Sequence, residues 1–255
     1  MRSRLPGQRK RRYSLKERNP ALKMQALLAL LLVLCFMTMI SGDVLSLDEL
    51  REKHMESCSK KCQDTECTRN CADQLHRDKG TAGLTIPFNY PLFKQCDDPW
   101  GPELMGNKTV CSVGCLMSST ASGLGGDNIQ IPQADSSIVD ASPGSLNSWL
   151  KLNGGYQNNN LMESAIPKIN PERISWPADG MHPTNDLPYA TVCQYIAAGR
   201  VVVGNVMNGG HFVLLIGYSE TDGDTFAVND SGFNTLTYSY SKDIVGYRIY
   251  DMVRQ

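Results

Sequence analysis

The chain has 255 residues, 41% of them hydrophobic, and 25 Lys or Arg against 26 Asp or Glu, a formal net charge of −1. That length supports one domain of ordinary size with appendages. A balance so close to neutral gives no case for a nucleic-acid binder working through a basic surface.

The average conceals an asymmetry at the start. Residues 1–23 form a basic leader with nine Lys or Arg against one acid, Glu17, and residues 26–40, ALLALLLVLCFMTMI, then run without a charge. A basic flank, a short apolar run and the small residues Ser41 and Gly42 predict a secretory signal peptide over residues 24–42, with cleavage after Gly42. The run is shorter than the roughly twenty apolar residues of a usual membrane span. An uncleaved type II membrane anchor through residues 24–42 is the alternative, and the basic flank would then leave the remainder outside the cytosol. Met24 directly precedes the apolar run, so either Met1 or Met24 fits as the start. The expected location is the secretory-pathway lumen or the exterior.

Cysteine usage agrees with export, because nine cysteines are many for a reducing compartment. Cys58, Cys62, Cys67 and Cys71 lie in a charged helical segment, residues 43–77. Residues four apart share a helix face, so two short helices stapled by Cys58–Cys71 and Cys62–Cys67 are expected, with zinc as the rival reading. His54 and His76, beside these cysteines, are expected to be solvated. Residues 78–87 open a glycine- and proline-punctuated stretch, DKGTAGLTIPFNYP, and read as a linker. Residues 88–255 read as the main domain.

Within that domain helix signals precede strand signals. Residues 115–124 predict a helix stopped by Gly125 and Gly126. Residues 142–155, SPGSLNSWLKLNGG, combine a serine cap, an early proline, one apolar face of Leu146, Trp149 and Leu150, and terminal glycines. A third helix fits residues 186–198. Five short segments rich in β-branched and aromatic residues follow, at 200–205, 211–218, 225–230, 236–241 and 247–252. The order predicts an α+β domain with N-terminal helices packed on an antiparallel sheet.

The stretch TVCSVGCLMSS, residues 109–119, puts two cysteines four residues apart at the first of these helices. Cys111 falls just before it, where backbone amides and the positive end of the helix dipole favour a thiolate. His211 opens the apolar strand HFVLLIGY after Asn208, Gly209 and Gly210, and Asp230 ends TFAVND. A hairpin between those strands would bring Asp230 to His211, so that the carboxylate orients the ring and the ring takes a thiol proton. Taken alone, a strand histidine is more often a structural residue.

In the order TVCSVGCLMSS, PGSLNSWLKLNGGY, GGHFVLLIGY and VNDSG, the domain resembles the papain-like cysteine peptidases related to the double-glycine leader peptidases of bacteriocin exporters, in their stand-alone branch. The resemblance implies a papain-like fold. Matching the leucine of the family's Cys-Gly-Pro-x-Cys-Leu pattern to Leu116 implies that Cys111 is the nucleophile and Cys115 a non-catalytic position. It implies His211 as base, Asp230 as orienting acid, and Gln95, in FKQCDDPW, as an oxyanion donor beside the Cys111 backbone amide. The chain departs from the pattern at Ser112 and Val113, which replace Gly-Pro, at Ser231, which replaces a proline, and in the sixteen residues separating Gln95 from Cys111.

The implied activity is that of a secreted or lumenal cysteine-dependent hydrolase, a peptidase or amidase, or an acyltransferase, acting on a peptide, amide or ester through a thioester, without cofactor or metal. A non-enzymatic binding module on the same fold is the alternative. Cys96, Cys111, Cys115 and Cys193 could form two bridges, and a bridged Cys111 would not be a nucleophile. Asn107-Lys108-Thr109 and Asn229-Asp230-Ser231 are glycosylation sequons, and only Asn107 is expected to be modified, since the second touches Asp230. His182 is expected in a loop and Trp100, Trp149 and Trp176 in packing roles. The sequence shows no phosphate loop and no metal-binding histidine cluster.

Overall fold

The computed structural model describes residue 81 and residues 83–254. All of these fall in the unit Ala72–Gln255. The basic leader, the 24–42 segment and the region holding Cys58, Cys62, Cys67 and Cys71, with His54 and His76, lie outside the described residues.

Helices come first. A four-residue helix, α1 (Val110–Val113), is followed after Gly114 by α2 (Cys115–Gly126) and then by α3 (Pro143–Leu152). Gly114 allows the two helices to follow so closely, because a Cβ there would stand 2.5 Å from the Val110 carbonyl oxygen. The α3 start is the one expected from sequence. Ser142 Oγ accepts from Ser145 N at 3.1 Å and Ser145 Oγ accepts from Ser142 N at 2.9 Å, a reciprocal cap with Pro143 in the first turn. Two small hairpins flank α3: β1 (Ile131–Pro132) with β2 (Ile138–Val139), and β3 (Tyr156–Gln157) with β4 (Asn160–Leu161).

A seven-stranded antiparallel sheet forms the other half. Its strands are β5 (Ile174–Ser175), β6 (Met181–His182), β7 (Val201–Val206), β8 (His211–Tyr218), β9 (Thr225–Asn229), β10 (Thr237–Ser239) and β11 (Gly246–Met252). They run in the order β10-β9-β8-β7-β11-β5, with β6 also paired to β11. The helix α4 (Tyr189–Ala197) precedes β7.

Both faces of the sheet are covered, which explains why β7 and β8 read as continuous apolar runs rather than alternating ones. Val201, Val203, Leu214 and Ile216 point into a core shared with Met117, Ala121 and Leu124 of α2 and Leu146, Trp149 and Leu150 of α3. Val202, Val206, Val213 and Leu215 point into a second core closed by Val192 and Ile196 of α4. The α+β arrangement with helices on an antiparallel sheet is thus as expected, with α4 as a further layer on the opposite face.

The register of α2 on the sheet depends on small side chains. A Cβ at Gly123 would lie 2.6 Å from Val201 Cγ1, so the helix backbone rests directly on β7. Gly123→Val should overpack this contact and cost about 2 kcal/mol. Denaturant unfolding should show a lower midpoint at unchanged slope.

Candidate active site

The loop before α2 folds back on itself through a covalent link. Cys96 and Cys111 form a disulfide across 15 residues of sequence. Inside that loop the Cys111 amide donates to the Gly101 carbonyl at 3.0 Å, and Thr109 caps α1 by accepting from Ser112 N at 3.3 Å. Two sequence expectations are corrected here. Cys111 lies within α1 and is bonded to Cys96, so its sulfur has no proton to lose and no lone thiolate to offer. Its amide is already engaged by Gly101 and is not the oxyanion donor proposed for it.

Cys115, the first residue of α2, carries a free thiol, as does Cys193. The free thiol of Cys115 is the one that meets His211. The imidazole is 5% exposed and its Nε2 lies 2.7 Å from Asp230 Oδ1, while the Cys115 thiol is close enough to the same ring to favour its charged form. With Nε2 turned to the carboxylate, Nδ1 is the nitrogen left for sulfur. Burial alone would lower the His211 pKa, but the hydrogen bond to Asp230, the nearby Cys115 thiol and the charge on Asp230 outweigh it and push it up to about 9.

Local backbone geometry delivers the histidine. β7 ends in a tight turn, Met207–Gly209, in which Met207, Asn208 and Gly209 all have positive φ, and the chain re-enters the sheet with His211 opposite Val206. A left-handed conformation costs a non-glycine residue about 1 kcal/mol. The β8–β9 register sets Asn229 opposite Leu214, and Asp230 follows directly.

Asp230 is 1% exposed and held by four donors. Its Oδ1 accepts from His211 Nε2 and from the amides of Gly232 and Phe233, both at 2.9 Å, and its Oδ2 accepts from the Tyr238 hydroxyl at 3.0 Å. Burial pushes the carboxyl upward, yet the hydrogen bonds from His211, Phe233 and Gly232 and the imidazolium charge hold it below the usual carboxylate range.

Gln95 reaches the same place from the preceding loop. Its Nε2 donates to the Cys111 carbonyl at 2.7 Å, its Oε1 accepts from Ser231 Oγ at 3.3 Å, and its amide donates to the Ser231 carbonyl at 2.9 Å. Lys94 donates to the carbonyls of Asp230, at 2.8 Å, and Phe233. A Cβ at Gly232 would stand 2.8 Å from His211 Cε1 and 3.5 Å from Gln95 Oε1, so the glutamine and histidine flank a position that only glycine fits. Phe233, 49% exposed, sets its ring edge-on to His211 with centroids 5.1 Å apart.

His211, Asp230 and Gln95 therefore gather at one place, and Cys115 stands where Cys111 was expected. Sequence reasoning also missed Tyr238 and the part played by Ser231. The signal for Cys115 was present: the predicted helix over residues 115–124 begins at that residue. His182 lies in β6 rather than a loop, paired with Tyr247 in the sheet and 2.9 Å from Asp186 through Nδ1. Trp149 is buried, Trp176 packs on Tyr250, and Trp100 packs edge-on to Phe93 with its Nε1 donating to Lys94. Asn107 is exposed with its side chain against Asn159, whereas Asn229 is buried with Nδ2 donating to the Tyr90 and Pro91 carbonyls. Among the described residues no group of His, Cys, Asp and Glu could hold a metal ion, and no helix is long and apolar enough to cross a membrane.

An α+β domain with a helix-start thiol facing a histidine on an antiparallel sheet is that of the papain-like cysteine peptidase superfamily. The model of the Peptidase_C39 like family matches residues 88–250, and the chain belongs to that family. Comparison with curated proteins and with solved structures returned no match.

Two outcomes check this geometry. The His211 pKa is raised from its usual 6.5 to about 9, so the stability contributed by its ion pair is fully present below about pH 6.5 and is lost as pH rises through about 9. The stability difference between wild type and His211→Gln, followed by denaturant unfolding, should shrink over that interval. Replacing both Cys96 and Cys111 by serine opens a 15-residue loop and should cost about 3 kcal/mol.

Proposed function

We propose that this chain is a cysteine-dependent acyl-transfer enzyme, a peptidase or amidase-type hydrolase or an acyltransferase, with Cys115 as nucleophile. The observation that carries the reading is the buried His211–Asp230 pair, 2.7 Å apart, with the free Cys115 thiol acting on the same ring. In the first half-reaction the Cys115 thiol proton passes to His211 and sulfur bonds to the carbonyl carbon of an amide or ester. His211 then returns that proton to the leaving amine or alcohol as the carbonyl–heteroatom bond breaks, leaving a thioester. Water or an acceptor amine loses its proton to His211 and attacks the thioester carbonyl. The carbon–sulfur bond breaks, and the proton returns to Cys115.

Asp230 keeps the ring oriented through this cycle and stabilises its cationic form. The oxyanion donors in this reading are the Cys115 backbone amide, at the helix start where amides lack intrahelical acceptors, and the second amide proton of Gln95 Nε2. The Cys96–Cys111 bridge supports an oxidising setting, consistent with reading residues 24–42 as a secretory signal or a type II anchor.

The test is turnover of p-nitrophenyl esters and a fluorogenic peptide library by the purified protein. Cys115→Ala should lower kcat/KM by at least about a thousandfold, and Gln95→Ala should lower kcat by about a hundredfold. The double Cys96→Ser, Cys111→Ser variant should keep far more activity than Cys115→Ala. Activity that survives Cys115→Ala would refute this assignment. An inert wild type that also forms no acyl adduct by intact mass would favour the binding module.

A further inference from the structure

We propose that Tyr238 is a positioning residue of this site, its hydroxyl fixing the Asp230 carboxylate through Oδ2 so that Oδ1 stays on His211 Nε2. The proposal rests on the reading of Cys115, His211 and Asp230 as the working groups. A carboxylate on a short side chain turns about a broad, two-fold torsion, and turning it exchanges the oxygen presented to the ring. Oδ1 is tied by His211 and by the Gly232 and Phe233 amides, while Oδ2 receives the Tyr238 hydroxyl at 3.0 Å.

Tyr238 itself is fixed. It lies in β10, opposite Phe226 of β9, and packs against the second core. Its ring thereby transmits the position of the sheet to a carboxylate eight residues earlier in the chain. The groups facing this pair are known on every side. His211 approaches from β8 with Cys115 of α2 beyond it, and Lys94 donates its ammonium protons to the Asp230 and Phe233 carbonyls. Asp243 and Thr235 act on the Tyr238 hydroxyl, which burial and the nearby Asp230 push up to about 12, so it is a neutral donor across the working range.

Simple packing and positioning make different demands. Tyr238→Phe keeps the ring and removes only the O–H, whose positive end opposes the imidazolium through Asp230. In the full chain, nitrogen-15 NMR of the His211 ring should show its titration moving upward by about half a unit in Tyr238→Phe. Replacing Tyr238 with 3-fluorotyrosine, a stronger donor, should move it downward. Where a substrate is turned over, Tyr238→Phe should lower kcat by about tenfold at unchanged KM. A His211 titration unmoved by either change overturns the proposal, even if turnover falls, and leaves the assignment of Cys115 standing. Opposite shifts in the two variants support it even in a protein that turns over none of the probes.

Discussion

The Asp230 carboxylate is the group on which the site depends. A buried anion is tolerable only when donors replace the water it has lost. Here those donors are His211 from β8, two amides of the turn after β9, and Tyr238 from β10. Satisfying one side chain therefore locks three neighbouring strands and the turn between them into a single arrangement. The same arrangement sets the ring plane of His211 and, through the ring, the place a thiol must occupy. The glycine at position 232 follows from this closeness, since any side chain there would strike the imidazole.

The other half of the site is built from the helix side. α2 lies on β7 through Gly123, which carries Cys115 toward the sheet end where His211 emerges. The Cys96–Cys111 disulfide then brings Gln95 to the start of the helices despite the long intervening loop. Ser231 joins the two halves: its hydroxyl faces Gln95 Oε1, and its carbonyl accepts the Gln95 amide. Ser231 thus holds Gln95, on the side of Cys115, against the strand end that carries Asp230 and faces His211.

Much of this was legible in the sequence. The caps and glycines around α3, the apolar runs of β7 and β8, and the hairpin that joins His211 to Asp230 are local signals, and the structure places these elements within a few residues of the expected ranges. The identity of the thiol was not, because a motif match at Leu116 shifted the assignment by four residues to a cysteine whose partner, Cys96, is far off in sequence. Disulfide pairing is a tertiary fact that spacing does not determine. Tyr238 was invisible for a related reason: its role comes from a turn that folds β10 back beside Asp230, and nothing in its own neighbourhood marks it. The short helix α1, which holds Cys111, was too brief to carry a periodic signal.

In the proposed mechanism the reactive sulfur belongs to Cys115, and Cys111 is a half-cystine. Limited labelling of the native protein with iodoacetamide at neutral pH, followed by non-reducing peptide mass mapping, tests it directly. An adduct is expected on Cys115 that forms much more slowly in His211→Ala, alongside an intact crosslinked peptide pair containing Cys96 and Cys111. An adduct on Cys111, or Cys115 recovered in a disulfide, would contradict it.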